Sequence, residues 1–168
     1  MSVNPYLPRR ARIDSVVEEC DGPRPIRTFT LTPADGAAER FVFEPGQCLQ
    51  LSVMGQGEIF VAIASGPAQS EPLQVTVMRV GQVTTALHEL HAGDHVGLRG
   101  PYGNGFPVES WRGQNLLLIG GGVGQAPLRS LLHYVEANRS EFGRVQVFYG
   151  ARSPEATIYR EEFAAYEA

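Results

Sequence analysis

Lysine is absent from this sequence, and all 14 of its basic residues are arginine. Against 18 acidic residues they leave a formal net charge of −4. No group of these arginines forms a stripe interleaved with aromatics, so the electrostatic footprint of a nucleic-acid-binding protein is missing. Arg9, Arg10 and Arg12 lie close together, but three charges beside a strand read as a solvated edge. Cysteine is scarce too. Cys20 and Cys48 stand in no metal or redox spacing and are expected to be reduced thiols. His88, His91 and His95 fall on a helix, its end and the next strand, so they do not converge on a metal. No glycine elbow presents Ser130 to His133 as a nucleophile. No apolar run approaches the roughly twenty residues that cross a bilayer. No charged-then-apolar leader opens the chain either, so a cytoplasmic protein without a membrane span is the expectation.

What the sequence does contain is a succession of short β-type runs. Val, Ile, Phe and Thr dominate residues 12–18, 26–32, 40–43, 48–53, 59–64 and 73–80. Asp21-Gly22-Pro23, Pro45-Gly46 and Gly55 to Gly57 punctuate them as turns. Many short strands with no long helix between them predict an antiparallel barrel, since closure removes the edges such strands would expose. Residues 4–8 are too rich in proline for a helix and read as an extended lead-in. One segment breaks the β pattern: Gly81-Gln82-Val83-Thr84-Thr85 leads into a short helix over 86–90, with Thr84 or Thr85 as candidate N-cap. A strand over 95–99 then runs into Gly100-Pro101-Tyr102-Gly103-Asn104-Gly105-Phe106-Pro107, a rigid loop. Tyr102 or Phe106 there either covers a flat ring or packs the seam to the next domain.

After residues 109–113 the pattern changes to strand, loop and helix, which marks a domain boundary. Residues 1–110 form the barrel and 111–168 the start of an α/β, Rossmann-like domain. Leu116 to Ile119 is an unbroken apolar run of the kind found in parallel sheets, ended by Gly120, Gly121, Gly122 and Gly124. Pro127 and the helical spacing of Leu128, Leu131, Leu132 and Val135 place a helix directly after. A strand, a glycine turn and a helix N-terminus present bare N–H groups and a positive dipole end to a phosphate. A second buried-type strand over 145–149 and a helical stretch over 159–166 complete the chain. Two strands are too few for an open parallel sheet. The second domain is therefore incomplete as written, and either the chain is a fragment or another polypeptide finishes the sheet.

The order of barrel, Gly-Gln-Val-Thr helix, Gly-Pro-Tyr-Gly-Asn-Gly-Phe loop and Gly-Gly-Gly-Val-Gly-Gln-Ala-Pro resembles the ferredoxin–NAD(P)H reductase superfamily of flavoproteins. More narrowly, Asn4-Pro5-Tyr6-Leu7-Pro8, Pro45-Gly46-Gln47, Pro127-Leu128-Arg129-Ser130 and Tyr149-Gly150-Ala151-Arg152 are similar to the gamma subunits of cytoplasmic nickel–iron hydrogenases and sulfhydrogenases. Dihydroorotate dehydrogenase electron-transfer subunits and a sulfite reductase subunit are close to the same pattern. The resemblance implies an FAD-binding barrel and an NAD(P)H domain that pass electrons to a redox-partner protein subunit. It implies that Gly81, Val83 and Thr84 hold the FAD pyrophosphate, that Gly120, Gly121, Gly122 and Gly124 receive the nicotinamide nucleotide, and that Arg152 reads its adenosine ribose or the phosphate on it. Flavin and nicotinamide would meet near Tyr102 and Phe106.

Two departures qualify that reading. The superfamily's flavin motif, arginine, any residue, tyrosine and serine or threonine, aligns through Ile63, Ala64 and Ser65 so that Ile59, Val61 and Ala62 stand in its functional positions. A phosphate pair, a ring stack and a hydroxyl are thereby missing, with Ser65 the one substitute hydroxyl. The resemblance also implies a further half-domain and, in the hydrogenase-type group, iron–sulfur cysteines that this sequence does not contain. A non-catalytic, flavin-free assembly or docking subunit is the alternative reading.

Overall fold

The computed structural model describes residues 6–33, 41–68 and 72–166. A six-stranded antiparallel sheet has the order β4-β3-β6-β1-β2-β5, with β1 Arg9–Cys20, β2 Ile26–Pro33, β3 Cys48–Val53, β4 Gly57–Ala62, β5 Leu73–Met78 and β6 His95–Tyr102. Alternation explains the fold of each strand. In β3, Leu49, Leu51 and Val53 turn inward while Cys48, Gln50 and Ser52 face out. In the same register Leu49 lies opposite Val61 and Leu51 opposite Ile59. The sheet curls until its edges meet beyond the end of β4, where Ile63 bridges Val75 and the Ala64 N–H donates to Gln74 O at 2.8 Å. The barrel read from the sequence is thus closed, and its interior holds Ile13, Phe29, Leu31, Leu49, Leu51, Ile63, Val75, Leu87 and Leu98, each 0–2% exposed. Burying a side chain of this size stabilises by roughly 1.5–3 kcal/mol.

Several boundaries differ from the sequence reading for local reasons. Residues 41–43 form no strand: Phe41 and Phe43 pack on the core from irregular backbone, their rings 6.4 Å apart. Arg40, Asn4 and Pro5 lie outside the described residues. The fourth strand begins at Gly57 and stops at Ala62, and the fifth stops at Met78. The short helix, α1, is Gln82–His88 with Gly81 as N-cap. Thr84 and Thr85 therefore sit inside it. Thr84 Oγ1 instead reaches back, accepting from the N–H groups of Val80 and Gly81 at 2.9 and 2.8 Å and donating to Gly81 O at 2.9 Å.

His88, on α1, plugs this end of the barrel. It is 5% exposed, meets Phe29 edge-on, and lies 2.9 Å from Val77 O through Nε2. A carbonyl only accepts, so Nε2 carries the proton and Nδ1, which has no partner, is bare when the ring is neutral. Burial pushes the His88 pKa below the ordinary 6.5; the Val77 bond opposes this, and the charges of Arg27 and Arg79 reinforce it. A histidine kept neutral by folding contributes stability that is complete above pH 6.5 and declines as the pH falls below it. The urea midpoint should therefore drop between pH 6.5 and 5, and His88→Gln, which can still donate to Val77, should flatten that drop. An unchanged slope in the variant would refute the assignment.

Beyond the barrel, a single 3-10 turn, Val108–Trp111, leads to a two-stranded parallel sheet of β7 Leu116–Gly121 and β8 Val145–Gly150, joined by α2 Gln125–Ala137. A second small core gathers Val108, Leu116, Leu118, Leu131, Leu132, Val135 and Phe142. Helix α2 thus covers one face of the sheet. The other face is open, with Leu117 58%, Ile119 71% and Phe148 59% exposed. The final helical stretch is shorter than its periodicity implies. Tyr159 takes a left-handed φ of 56°, a 3-10 turn follows at Arg160–Glu162, and α3 spans Phe163–Tyr166.

Candidate functional site

The glycine run divides into two physical roles. Gly120 and Gly121 are the last residues of β7, not part of the turn. A Cβ on Gly120 would strike Gln125 Oε1 and come within 2.9 Å of Leu128 Cδ1, so this glycine allows α2 to approach its own strand. Gly122 opens the turn at φ 51°, and Gly122 and Gly124 have no atom within 4 Å of where a Cβ would stand. Their outer side is free space. Gly122–Gly124 is a 3-10 turn, and α2 begins at Gln125 with Gly124 as its N-cap and no side-chain cap. First-turn N–H groups of a helix lack intrahelical acceptors. Bare backbone, a dipole end and room for an approaching group are the elements of a phosphate cradle.

Neighbouring groups hold that cradle in place. Tyr149 OH donates to Gly122 O at 3.3 Å and accepts from the Ile158 N–H. Burial pushes the Tyr149 phenol above its ordinary 10, so it stays a donor at neutral pH. Val123 packs with Cys20, Ile26, Met78, Ile158 and Tyr159, which seats the turn against the end of β5. Gln125 is 2% exposed, and its Oε1 has no hydrogen-bond partner. Arg152 is exposed two residues past Gly150, which pairs with Gly121. It therefore stands at the same strand edge as the glycine turn.

Three residues separate the end of β5 from the start of helix α1. Gly81 at its N-cap is exposed, with no atom within 4 Å of a hypothetical Cβ. Val83 faces the other way, onto the barrel core, and Thr84 spends its hydroxyl on the N-cap backbone. What α1 offers outward is backbone N–H at Gln82 and Val83.

The segment after β4 is enclosed, and its polar groups are spent within the protein. Ile63, Ala64 and Ser65 are 0–1% exposed. The Ile63 N–H donates to Gln47 O at 3.1 Å, and Ser65 Oγ accepts from the Gln74 N–H at 3.1 Å. Val61 belongs to the barrel core and Ile59 packs against it. Among the outward residues of this region, Phe60 and Tyr102 form an edge-to-face pair with ring centroids 5.9 Å apart. Phe106 does not join them. It packs on Trp111 at 6.1 Å, and its N–H donates to Pro45 O, so of the two aromatics Phe106 fills the seam and Tyr102 stays half-exposed.

A cluster not foreseen from the sequence ties these segments together. Arg129, in the second turn of α2, is 9% exposed and spends both edges of its guanidinium. Nη1 donates to Ala64 O and to Gln74 Oε1, both at 2.9 Å, while Nε and Nη2 hold the Glu162 carboxylate at 2.7–2.9 Å. The plane lies over the Tyr159 ring, 4.8 Å from its centroid. The Tyr159 hydroxyl bonds Thr76, and the Tyr159 N–H donates to Glu19. Among the described residues no group of His, Cys, Asp and Glu is arranged to hold a metal.

The architecture, a closed six-stranded antiparallel barrel followed by a strand, glycine turn and helix, is that of the ferredoxin–NADP+ reductase class. The ferredoxin–NADP+ reductase of Plasmodium falciparum superposes with a TM-score of 0.79 at 17% identity, over 95% of this chain and 65% of that one. Residues 118–168 match the oxidoreductase NAD-binding domain family. The chain is similar to sulfhydrogenase 2 subunit gamma of Pyrococcus furiosus, 39% identical over 161 residues, which are 95% of this chain and 54% of that protein. It is also similar to a protein named probable dihydroorotate dehydrogenase B (NAD(+)), electron transfer subunit, of Methanocella arvoryzae, 34% identical over 94% of this chain and 54% of that one. The resemblance read from the sequence motifs therefore holds. The chain spans about half the length of these curated relatives. No helix among the described residues is long and apolar enough to cross a membrane.

Proposed function

We propose that this chain is a flavin-dependent electron-transfer reductase subunit, or a part of one, that passes electrons between NAD(P)H and a redox-partner protein in the cytoplasm. Its two working units are a flavin-binding barrel, residues 1–110, and a nucleotide-binding part, residues 111–168. The observation that carries the reading is the convergence of two bare glycine-led helix starts, at Gly81 and at Gly122–Gly124, on the same end of β5.

The FAD pyrophosphate fits the first of these. Gly81 leaves room for it, and the N–H groups of Gln82 and Val83 would donate to it. The flavin ring has a different set of neighbours from the superfamily pattern. Ile59 and Val61 pack in or against the core and Ile63, Ala64 and Ser65 are 0–1% exposed, so the exposed ring contact would come from Tyr102. When bound, FAD would supply the conversion between hydride and single-electron transfer, while the protein supplies orientation. Gly120 lets α2 close on its strand behind the site, Gly121 shapes the approach to the nucleotide, Gly122 and Gly124 receive its pyrophosphate, and Arg152 stands ready for the adenosine ribose.

The core packing of Ile59 and Val61 also supports the second reading, a flavin-free assembly or docking subunit. Titration with FAD separates the two. Under the first, purified protein takes up about one equivalent and shows a visible band that bleaches on reduction. Folded protein that stays colourless and binds none would sink the first.

A further inference from the structure

We infer that Arg129 is a positioning residue that sets the nucleotide-binding helix against the barrel at Ile63–Ser65; this rests on the function proposed for the barrel and that helix. One turn of α2 separates Arg129 from Gln125 at the glycine cradle. Its Nη1 ends on the carbonyl of Ala64, the middle residue of that segment, and on the Gln74 side chain, whose residue also bonds Ala64 N–H and Ser65 Oγ. The same guanidinium is braced from behind by Glu162, to which Tyr166 donates at 2.9 Å and beside which His133 Nε2 stands at 3.7 Å. The Tyr159 ring lies beneath the guanidinium carbon and is itself anchored to the barrel at Thr76 and Glu19.

The shape of the group matters as much as its charge. Guanidinium is a planar fork with donors on two edges, and here one edge holds the barrel while the other holds the chain around Glu162. A lysine ammonium is a point donor and cannot span both. Nothing else among the described contacts joins α2 directly to the Ile63–Ser65 carbonyls by a charged group. A shift at Arg129 therefore changes the separation between a flavin held by the barrel and a nucleotide seated at the cradle. Reactivity between the two depends steeply on that separation.

Residue-resolved hydrogen exchange of the whole chain tests the clamp with no cofactor present. In Arg129→Gln the amides of Ala64 and Gln74 should exchange at least about tenfold faster, while those of Leu51 and Leu98, elsewhere in the barrel, keep their protection. Arg129→Lys should show the same local loss. Unchanged Ala64 exchange in Arg129→Gln, an equal rise at all four amides, or full restoration by lysine would each overturn the clamp. The flavin half is read by FAD titration of wild type and Arg129→Gln, with about a tenfold weaker Kd and a shifted visible band expected in the variant. An identical Kd and spectrum would overturn that half. If the wild-type chain takes up no FAD, the proposed function fails, and the exchange experiment still decides the clamp.

Discussion

Replacing Glu162 by glutamine should lower stability at pH 7 by about 2 kcal/mol, and the deficit should vanish on acidification. The carboxylate faces Arg129, His133 and Tyr166, with the Tyr159 ring under the guanidinium. Burial on its own would raise the Glu162 pKa. The nearby His133, the Arg129 hydrogen bonds and charge, and the Tyr166 hydroxyl outweigh it and hold the group at about 2, against an ordinary 4.5. A carboxylate whose pKa is depressed by folding contributes stability that is complete above pH 4.5 and is lost as the pH falls toward 2. Glutamine keeps the shape and one acceptor but leaves Arg129, 9% exposed, without its counter-charge. Removing one partner of such a pair is what makes the change costly. Urea denaturation of both proteins at pH 7, 4.5 and 3 checks this. A deficit that stays constant across the three would mean that the charge on Glu162 contributes nothing.

That cluster was also the least legible part of the sequence. Arg129, Ala64 and Glu162 are far apart in the chain, and no spacing rule links them. The available signal was a charged residue lying between Leu128 and Leu131 on the helix's apolar stripe, where an arginine stays only if its charge is met. The barrel was more legible because alternation is a local property. The third strand, Cys48–Val53, has the boundaries that its alternation implies. The same rule failed at 41–43, where Phe41 and Phe43 alternate with Val42 but pack inward from irregular backbone. Alternation reports which side chains are buried, and a loop can bury every second residue as well as a strand can.

The helix start at Gly81 failed for a complementary reason. Hydroxyl residues mark N-caps because they accept from the first-turn N–H groups, which favours Thr84 or Thr85 as the cap. Here Thr84 occupies the third helical position and serves the N-cap from within. The residue that matters chemically is then the glycine before it. At Val61 the sequence position was aligned with a ring-stacking tyrosine, but the register with Leu49 turns the side chain into the core. Only pairing between strands decides that direction, and one sequence does not state it.

The glycine run offers a sharper separation of structure from function than any other stretch. Gly120→Val should destabilise by about 2–3 kcal/mol, because the new branch displaces the buried Gln125 amide and the Leu128 methyl where α2 meets its strand. Gly120→Ala should cost about 1 kcal/mol, since Gln125 Oε1 has no hydrogen bond to lose when it turns aside. Gly124→Ala should be close to neutral: its φ of −64° suits any residue and its outer side is empty. That empty side is where a pyrophosphate would rest. Gly124→Ala should therefore leave the urea midpoint in place while weakening NADH binding at least about tenfold by calorimetry, through a methyl standing where the phosphate must come. Gly120→Val would lose binding only in proportion to its loss of folded protein. If Gly124→Ala binds NADH like the wild type, the open side of the turn is a consequence of chain reversal and not a cradle, and the nucleotide must be sought elsewhere along the edge shared by Gly121 and Gly150.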